Sequence, residues 1–502
     1  MNQPRTLIAS LSLALAAGPA LAELTAEQVL EHQLSQYSTP EITVRAGGKR
    51  RSGNVLTVDR FLVEVALPEQ EGTILVAVGG ASLAERNDGT VLVTFPPESP
   101  LTVQAFTSKG EEFAFAATVS QSGAQTVVSG TPEEIRYESA APSITVEEFR
   151  MIEPELPDGV SVAASIKILG YQGHSDVSGG ELRDFRGEDA LDSFQAHVDV
   201  RDHGGGGSFG LEMEIADVSA QSSGRIAWQS LGDSLATSIM SGSAFDLSAS
   251  FGHARYQVSG DGPNQEPFEI SSESASSDVF VRMDRNGIDY GATTRGAVLS
   301  VLAQELFSSL TEVRLPEVSA RFLLPIVPDH EPQDFAARVA IQRFEIDQKL
   351  WSMFDPLGVL DREPATVVLD TGGEVIVLRD GLDGDLSTVM QMDQAPVDVR
   401  SLDLNELRIK LAGVQVTGDG GFSFITRHEQ PWPVGAAELA VTGAGSLLDG
   451  LTELGLVPNL QALGIRGMLE AIARPGDGPD DFGLTIETGE DGSVLVNGQR
   501  IR

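Results

Sequence analysis

The chain contains no cysteine. Disulfide staples are excluded, as is a lipidated cysteine after a leader, so a chain of 502 residues must hold its fold by burial and backbone pairing. Aromatics are scarce, with 3 Trp and 5 Tyr. That is too few for the two aromatic girdles of a transmembrane barrel, and the ending Gln499-Arg500-Ile501-Arg502 has no terminal aromatic. Basic residues are outnumbered, 34 Lys and Arg against 73 Asp and Glu, giving a net charge of −39. Nucleic acid and anionic headgroups are bound through Lys and Arg, so both are disfavoured as partners. No apolar run approaches the roughly 20 residues that span a bilayer as a helix. Fixed-period repeats and low-complexity linkers are also missing.

What is present first is an export signal. A weakly basic start ending at Arg5 precedes the uncharged apolar run Leu7 to Ala17, and Ala20-Leu21-Ala22 forms an A-x-A site. Residues 1–22 are expected to be a signal peptide cleaved after Ala22, leaving residues 23–502 in the periplasm. Loss of Arg5 takes the charge to about −40. Hydrophobic residues make up 41% of the chain, enough for a core and too many for disorder.

The remainder reads as strand, turn, strand. Val55, Thr57, Phe61, Val63, Val65 and Leu67 alternate, and Asn87-Asp88-Gly89 separates Thr73–Ala84 from Thr90–Phe95 with the positive-φ residues of a tight hairpin. Leu101–Thr107 and Glu112–Ser120 flank Ser108-Lys109-Gly110, Phe194–Asp202 and Phe209–Val218 flank Gly204–Gly207, and Ala244–Val258 continues the pattern. Thr25 with Gln28 forms a capping box before Leu30 and Leu34, and Leu24 with Val29 forms a staple. A second helix is expected over Ile226 to Met240. Ser446 is expected to cap a helix bearing Leu447, Leu448, Leu451 and Leu454, and Asn459 the next, bearing Leu460, Leu463, Met468, Leu469 and Ile472. The expected fold is mainly β with a few helices (α+β): one or two large antiparallel, meandering, curved sheets with a C-terminal αα-hairpin packed on the sheet. Length allows roughly three domains. The proline cluster Pro325, Pro328, Pro332 offers one division, into 23–328 and 329–502.

No constellation carries a credible catalytic signature. Gly206-Gly207-Ser208-Phe209-Gly210 matches G-x-S-x-G, but a nucleophile elbow needs a helix after the serine, and here strands lie on both sides. His197, Asp199, Arg201 and His203 share one strand face, where Arg201 places a cation in the middle of any metal set; a solvated face accounts for them. Asp380, Asp383 and Asp385, and Asp477, Asp480 and Asp481, lack the spacing of an EF-hand and read as turn acids. The chain is expected to be no enzyme and to use no catalytic, cofactor-binding or metal-binding residues.

From Leu350 onward, Leu350-Trp351-Ser352-Met353-Phe354-Asp355-Pro356, Leu360-Asp361-Arg362-Glu363-Pro364-Ala365-Thr366 and Val368-Leu369-Asp370 form a distinctive block. With Gly413–Gly418, Gly445–Leu451, Gly455–Pro458 and Val496–Ile501, it resembles an exported Gram-negative family known as domain of unknown function twenty-one twenty-five. Asp361 stands where the family has Pro. The resemblance implies export and a β-rich fold, with no activity attached. The block itself reads as a buried corner: Trp351 and Phe354 as anchors, Asp355-Pro356 ending a short helix, Arg362 pairing with Asp355 or Asp370. Val494–Gly498 resembles a hairpin of large envelope proteins whose curved sheets carry apolar grooves. The expected function is that of a non-enzymatic envelope protein binding a lipid or another apolar ligand in a sheet groove; the alternative is a structural or assembly-type partner protein without a small ligand.

Overall fold

The computed structural model describes residues 24–502 except 40, 68–71, 108–109, 111, 155, 228–234, 262–265, 304–309, 380–396, 428–429, 477 and 479. The signal segment, Asp380, Asp383, Asp385 and Asp477 lie outside the described residues. The described chain is mainly β: one sheet of 28 strands, every pairing antiparallel, with five helices. These are α1 (Ala26–Gln36), α2 (Leu235–Met240), α3 (Gln348–Phe354), α4 (Ala444–Glu453) and α5 (Asn459–Ile472).

The sheet is a meander in which neighbours in sequence are mostly neighbours in space. Its centre is built from long strands, Glu134–Glu153, Val160–Gly179, Leu182–Asp202 and Gly207–Ala227, each paired with the next. At about 3.4 Å per residue the last of these approaches 70 Å. Beside Gly207–Ala227 lie two shorter strands end to end, Ala244–Phe251 and Ala254–Asp261. The expected strand Ala244–Val258 is thus broken at Gly252-His253, where Gly252 N–H donates to Ala216 O and Ala216 N–H to His253 O. Pairing runs directly across Pro325–Pro332, from Thr311–Leu324 to Gln333–Ile346.

A line of backbone irregularities crosses these strands. Gly170, Asp217, Gly296 and Arg343 sit in mid-strand with φ of 66°, 51°, 64° and 55°. At each, the alternation of apolar side chains changes phase. Phe209, Leu211, Met213 and Ile215 give way to Val218, Ala220 and Ser222, with Asp217 between, while Glu212, Glu214, Ser219 and Gln221 are exposed. A bulge residue shifts side-chain parity by one, so the apolar set stays on one side of the sheet along the whole strand.

Full burial is confined to few places. α1 opens with the expected capping box of Thr25 and Gln28. It seals a core of Leu24, Val29 and Leu30 against Leu56, Leu83, Val91, Val128 and Ile135. α2 is shorter than expected, because Ile226 and Ala227 finish a strand; its Ile239 packs with Met283 and Ile326. α4 is capped from a distance: Gly443 precedes it, and Asp480 accepts Gly445 N–H at 2.7 Å, Ser446 N–H at 3.0 Å and the Ser446 hydroxyl. Ser446 is therefore held inside the first turn and is not the cap. α5 starts one residue after Pro458, with Asn459 its first helical residue.

Candidate functional site

The two sides of the sheet differ in chemistry. One carries cross-strand ion pairs: Arg136–Asp176, Arg225–Asp184, Arg282–Asp246, Arg321–Asp289 and Arg338–Asp370, at 2.6–3.0 Å. They are solvated, so each contributes about 1 kcal/mol or less; Ala340 and Val368, on the same side beside Arg338 and Asp370, are nevertheless buried.

The other side is apolar in rows that run across the strands. Pairing register sets Ala164, Val198, Leu211, Val258, Ile270 and Val301 side by side over six neighbouring strands. Beyond the bulge line, Ala249, Val279, Ala292, Ala320, Val339 and Leu369 form a second row, which Leu407, Leu439 and Leu484 extend. Opposed residues of an antiparallel pair lie about 5 Å apart and shield one another laterally. Yet Tyr256, Ile270, Phe209 and Leu369 remain 41%, 45%, 42% and 44% exposed. Side chains so flanked stay that open only where no layer covers them from above. α1 and α2 cover two parts of the apolar side; over the rows just named, no described helix does so.

Near the helices lies a cavity of about 690 Å³, lined by Phe344, Ile346, Trp351, Leu360, Leu447 and Leu451. Ile346 stands opposite Val313, itself opposite Leu299, so the cavity continues a row of the open face. Its wall is the Trp351 corner. Asp347 caps α3 by accepting Lys349 and Leu350 N–H, and Asp355 ends it, as expected. The Asp355 side chain is fully enclosed, accepting Val359 N–H at 2.9 Å, Leu360 N–H at 3.2 Å and Arg362 Nη2 at 3.0 Å. Arg362 thus pairs with Asp355, while Asp370 pairs with Arg338 and Asn405. The Arg362 guanidinium lies over the Trp351 ring at 5.6 Å. Trp351 is buried, whereas Phe354 is 43% exposed and anchors less than expected.

Burial opposes ionisation of Asp355, but the Val359, Arg362 and Leu360 hydrogen bonds and the Arg362 charge outweigh it and hold its pKa below the usual carboxylate value. A lowered folded-state pKa means stability that is complete above the unfolded value of about 3.9 and is lost as pH falls through the folded value. Asp355→Asn should therefore lower the melting temperature at neutral pH, by roughly 5 °C. The gap between variant and wild type should close below about pH 4; a gap independent of pH would contradict this account.

Other residues singled out in the sequence do not assemble into a site. The Ser208 hydroxyl donates to Asp261 at 2.6 Å; Ser208 is the second residue of the strand Gly207–Ala227, so strand and not helix follows it. A serine-directed fluorophosphonate should leave Ser208 unlabelled, and stoichiometric labelling would revive the elbow. His197 stands 3.7 Å from Glu212, and His203 is 3.3 Å from the Ser161 hydroxyl. Asp199 is taken by Arg201. Among the described residues no group of three metal-ligating side chains converges. Asp480 is spent on the α4 cap and Asp481 on Gly478 N–H.

Comparison with known proteins adds no relative. No family model, curated protein or solved structure matches this chain. The geometry of the open face therefore carries the functional argument.

Proposed function

We propose that this protein is a non-enzymatic envelope protein that holds the acyl chains of a lipid along the apolar side of its sheet, exported to the periplasm after cleavage behind Ala22. The observation that supports the reading is the apolar side left 45% exposed at Ile270 and 44% at Leu369, within the two rows, and 41% at Tyr256 beside the first of them. Apolar surface of this extent is rarely left to water in a protein that has no use for it. In this reading the sheet curves along the line of Gly170, Asp217, Gly296 and Arg343, turning the apolar side into a groove, and α4 with α5 forms a hairpin closing one end beside the Trp351 cavity.

Charge fixes the mode of binding. A protein of net charge −39 repels an anionic headgroup, so attraction must come from burying methylenes, at about 0.8 kcal/mol each before ordering costs. Affinity for a series of fatty acids should therefore climb steeply with chain length. High salt should leave it unchanged or raise it slightly, because the headgroup contributes only a repulsion that salt screens. Tight binding of short chains, or binding abolished by salt, would replace this reading with headgroup recognition.

A further inference from the structure

We infer that the outer surface of α5 docks on an uncharged or zwitterionic lipid surface. A helix at the surface of a protein normally turns its apolar stripe inward and its polar residues to water. α5 does the reverse. Only Ala462, Arg466, Leu469 and Ile472 are partly covered, and none of its residues is fully buried. Leu460 is 82% exposed, Leu463 67% and Met468 58%, and Leu456 just before the helix is 59% exposed. Gly464 and Gly467 lie among them with open space around the position a Cβ would take.

The same surface is nearly devoid of polar groups. Gln461 and Glu470 are its polar side chains beyond Asn459 at the first turn. Arg466, the one basic residue of α5, is turned back to Asp449 at 2.7 Å. A protein partner of standard size would bury about 800 Å² per side with a hydrogen bond for every 100–200 Å² or so. The four large side chains offer on the order of 500 Å² and few hydrogen-bonding groups, a poor fit to a second copy or another protein. Acyl chains ask for no hydrogen bonds, and a helix lying in the interface buries this kind of face. The charge of −39, with no free cation on α5, selects neutral over anionic lipid.

This inference goes beyond the proposed ligand-holding role and stands apart from it, since Leu460, Leu463 and Met468 lie outside the rows of the sheet. It does bear on that role by position: Arg466 ties α5 to α4, whose Leu447 and Leu451 line the Trp351 cavity.

The test is flotation of the purified chain with phosphatidylcholine vesicles at low and at high salt, beside a Leu460→Glu, Leu463→Glu, Met468→Glu triple variant. Wild type should float equally at both salts, and the variant at least about tenfold less. Because the substituted side chains are exposed, the variant should keep the wild-type circular dichroism and the same co-purifying lipid. A separate Leu460→Trp variant should shift its emission to the blue on adding vesicles, which reads insertion directly. Equal flotation of the triple variant, or no flotation of the wild type, would overturn the inference. So would a dimer by light scattering that the triple variant dissolves without any vesicle binding, which would make a second copy the occupant.

Discussion

Glutamate introduced at both Tyr256 and Ile270 should lower the affinity for a long-chain fatty acid by at least about a hundredfold while leaving the fold intact. Each side chain is more than 40% exposed, so neither substitution opens a cavity or buries a charge in the unliganded protein. With a ligand in place the situation reverses. Tyr256 neighbours Met213 and Ser272 in register, and Ile270 neighbours Val258 and Val301, so one carboxylate would stand inside the first apolar row and the other beside it on the same side of the sheet. Covering them with methylenes would strip their hydration without supplying partners, which costs several kcal/mol or shifts their pKa upward. Glu269 and Glu273 already show that the Ile270 strand tolerates acids on its opposite side. The control is the pair Gln257→Glu and Ser271→Glu, one position along each strand, which should leave affinity unchanged. Equal loss in both pairs would mean that added charge, not position, weakens binding.

Leu30→Ala should be among the most destabilising single substitutions, at about 2–5 kcal/mol. Leu30, on the inner face of α1, is 1% exposed and packed among Leu56, Leu83, Val91, Val128 and Ile135. Removing its branch leaves a void in an enclosed site, adding a cavity cost to the lost transfer free energy. Leu299→Ala makes the same chemical change on the open face, where Leu299 is 36% exposed, and should cost about 1 kcal/mol or less. The contrast measures how unevenly burial is distributed over the sheet. It can be read by denaturant midpoints, with hydrogen exchange of the α1 amides reporting the local effect. Equal costs at the two positions would mean that the face over Leu299 is covered after all.

Much of this architecture could be read from local chemistry. The capping box at Thr25 and Gln28, the Asp88-Gly89 turn and the end of α3 at Asp355 are where short-range hydrogen bonding places them. Strand lengths were less legible, for a reason now visible at Asp217 and its neighbours in the line. A bulge changes the phase of alternation, so a strand such as Leu182–Asp202 reads as the shorter Phe194–Asp202, and Gly207–Ala227 reads as ending at Val218. The α4 cap escaped notice because its acceptor, Asp480, lies 34 residues beyond Ser446. Helical periodicity placed Leu460, Leu463 and Met468 on a packing face, and the structure exposes them. Periodicity reports which side chains share a face and is silent on what meets it. The same limit applies to the open rows: a covered sheet and an uncovered one alternate identically.

The central claim is that acyl chains occupy the apolar side of the sheet, and the most direct test is mass spectrometry of an organic extract of the protein, purified without detergent. The account predicts an acyl-chain lipid near one equivalent or more per protein, absent from an extract of the Tyr256→Glu, Ile270→Glu variant prepared in the same way. An extract free of lipid, from protein that also fails to take up fatty acid afterwards, would contradict it and leave a structural or assembly-type protein as the better description.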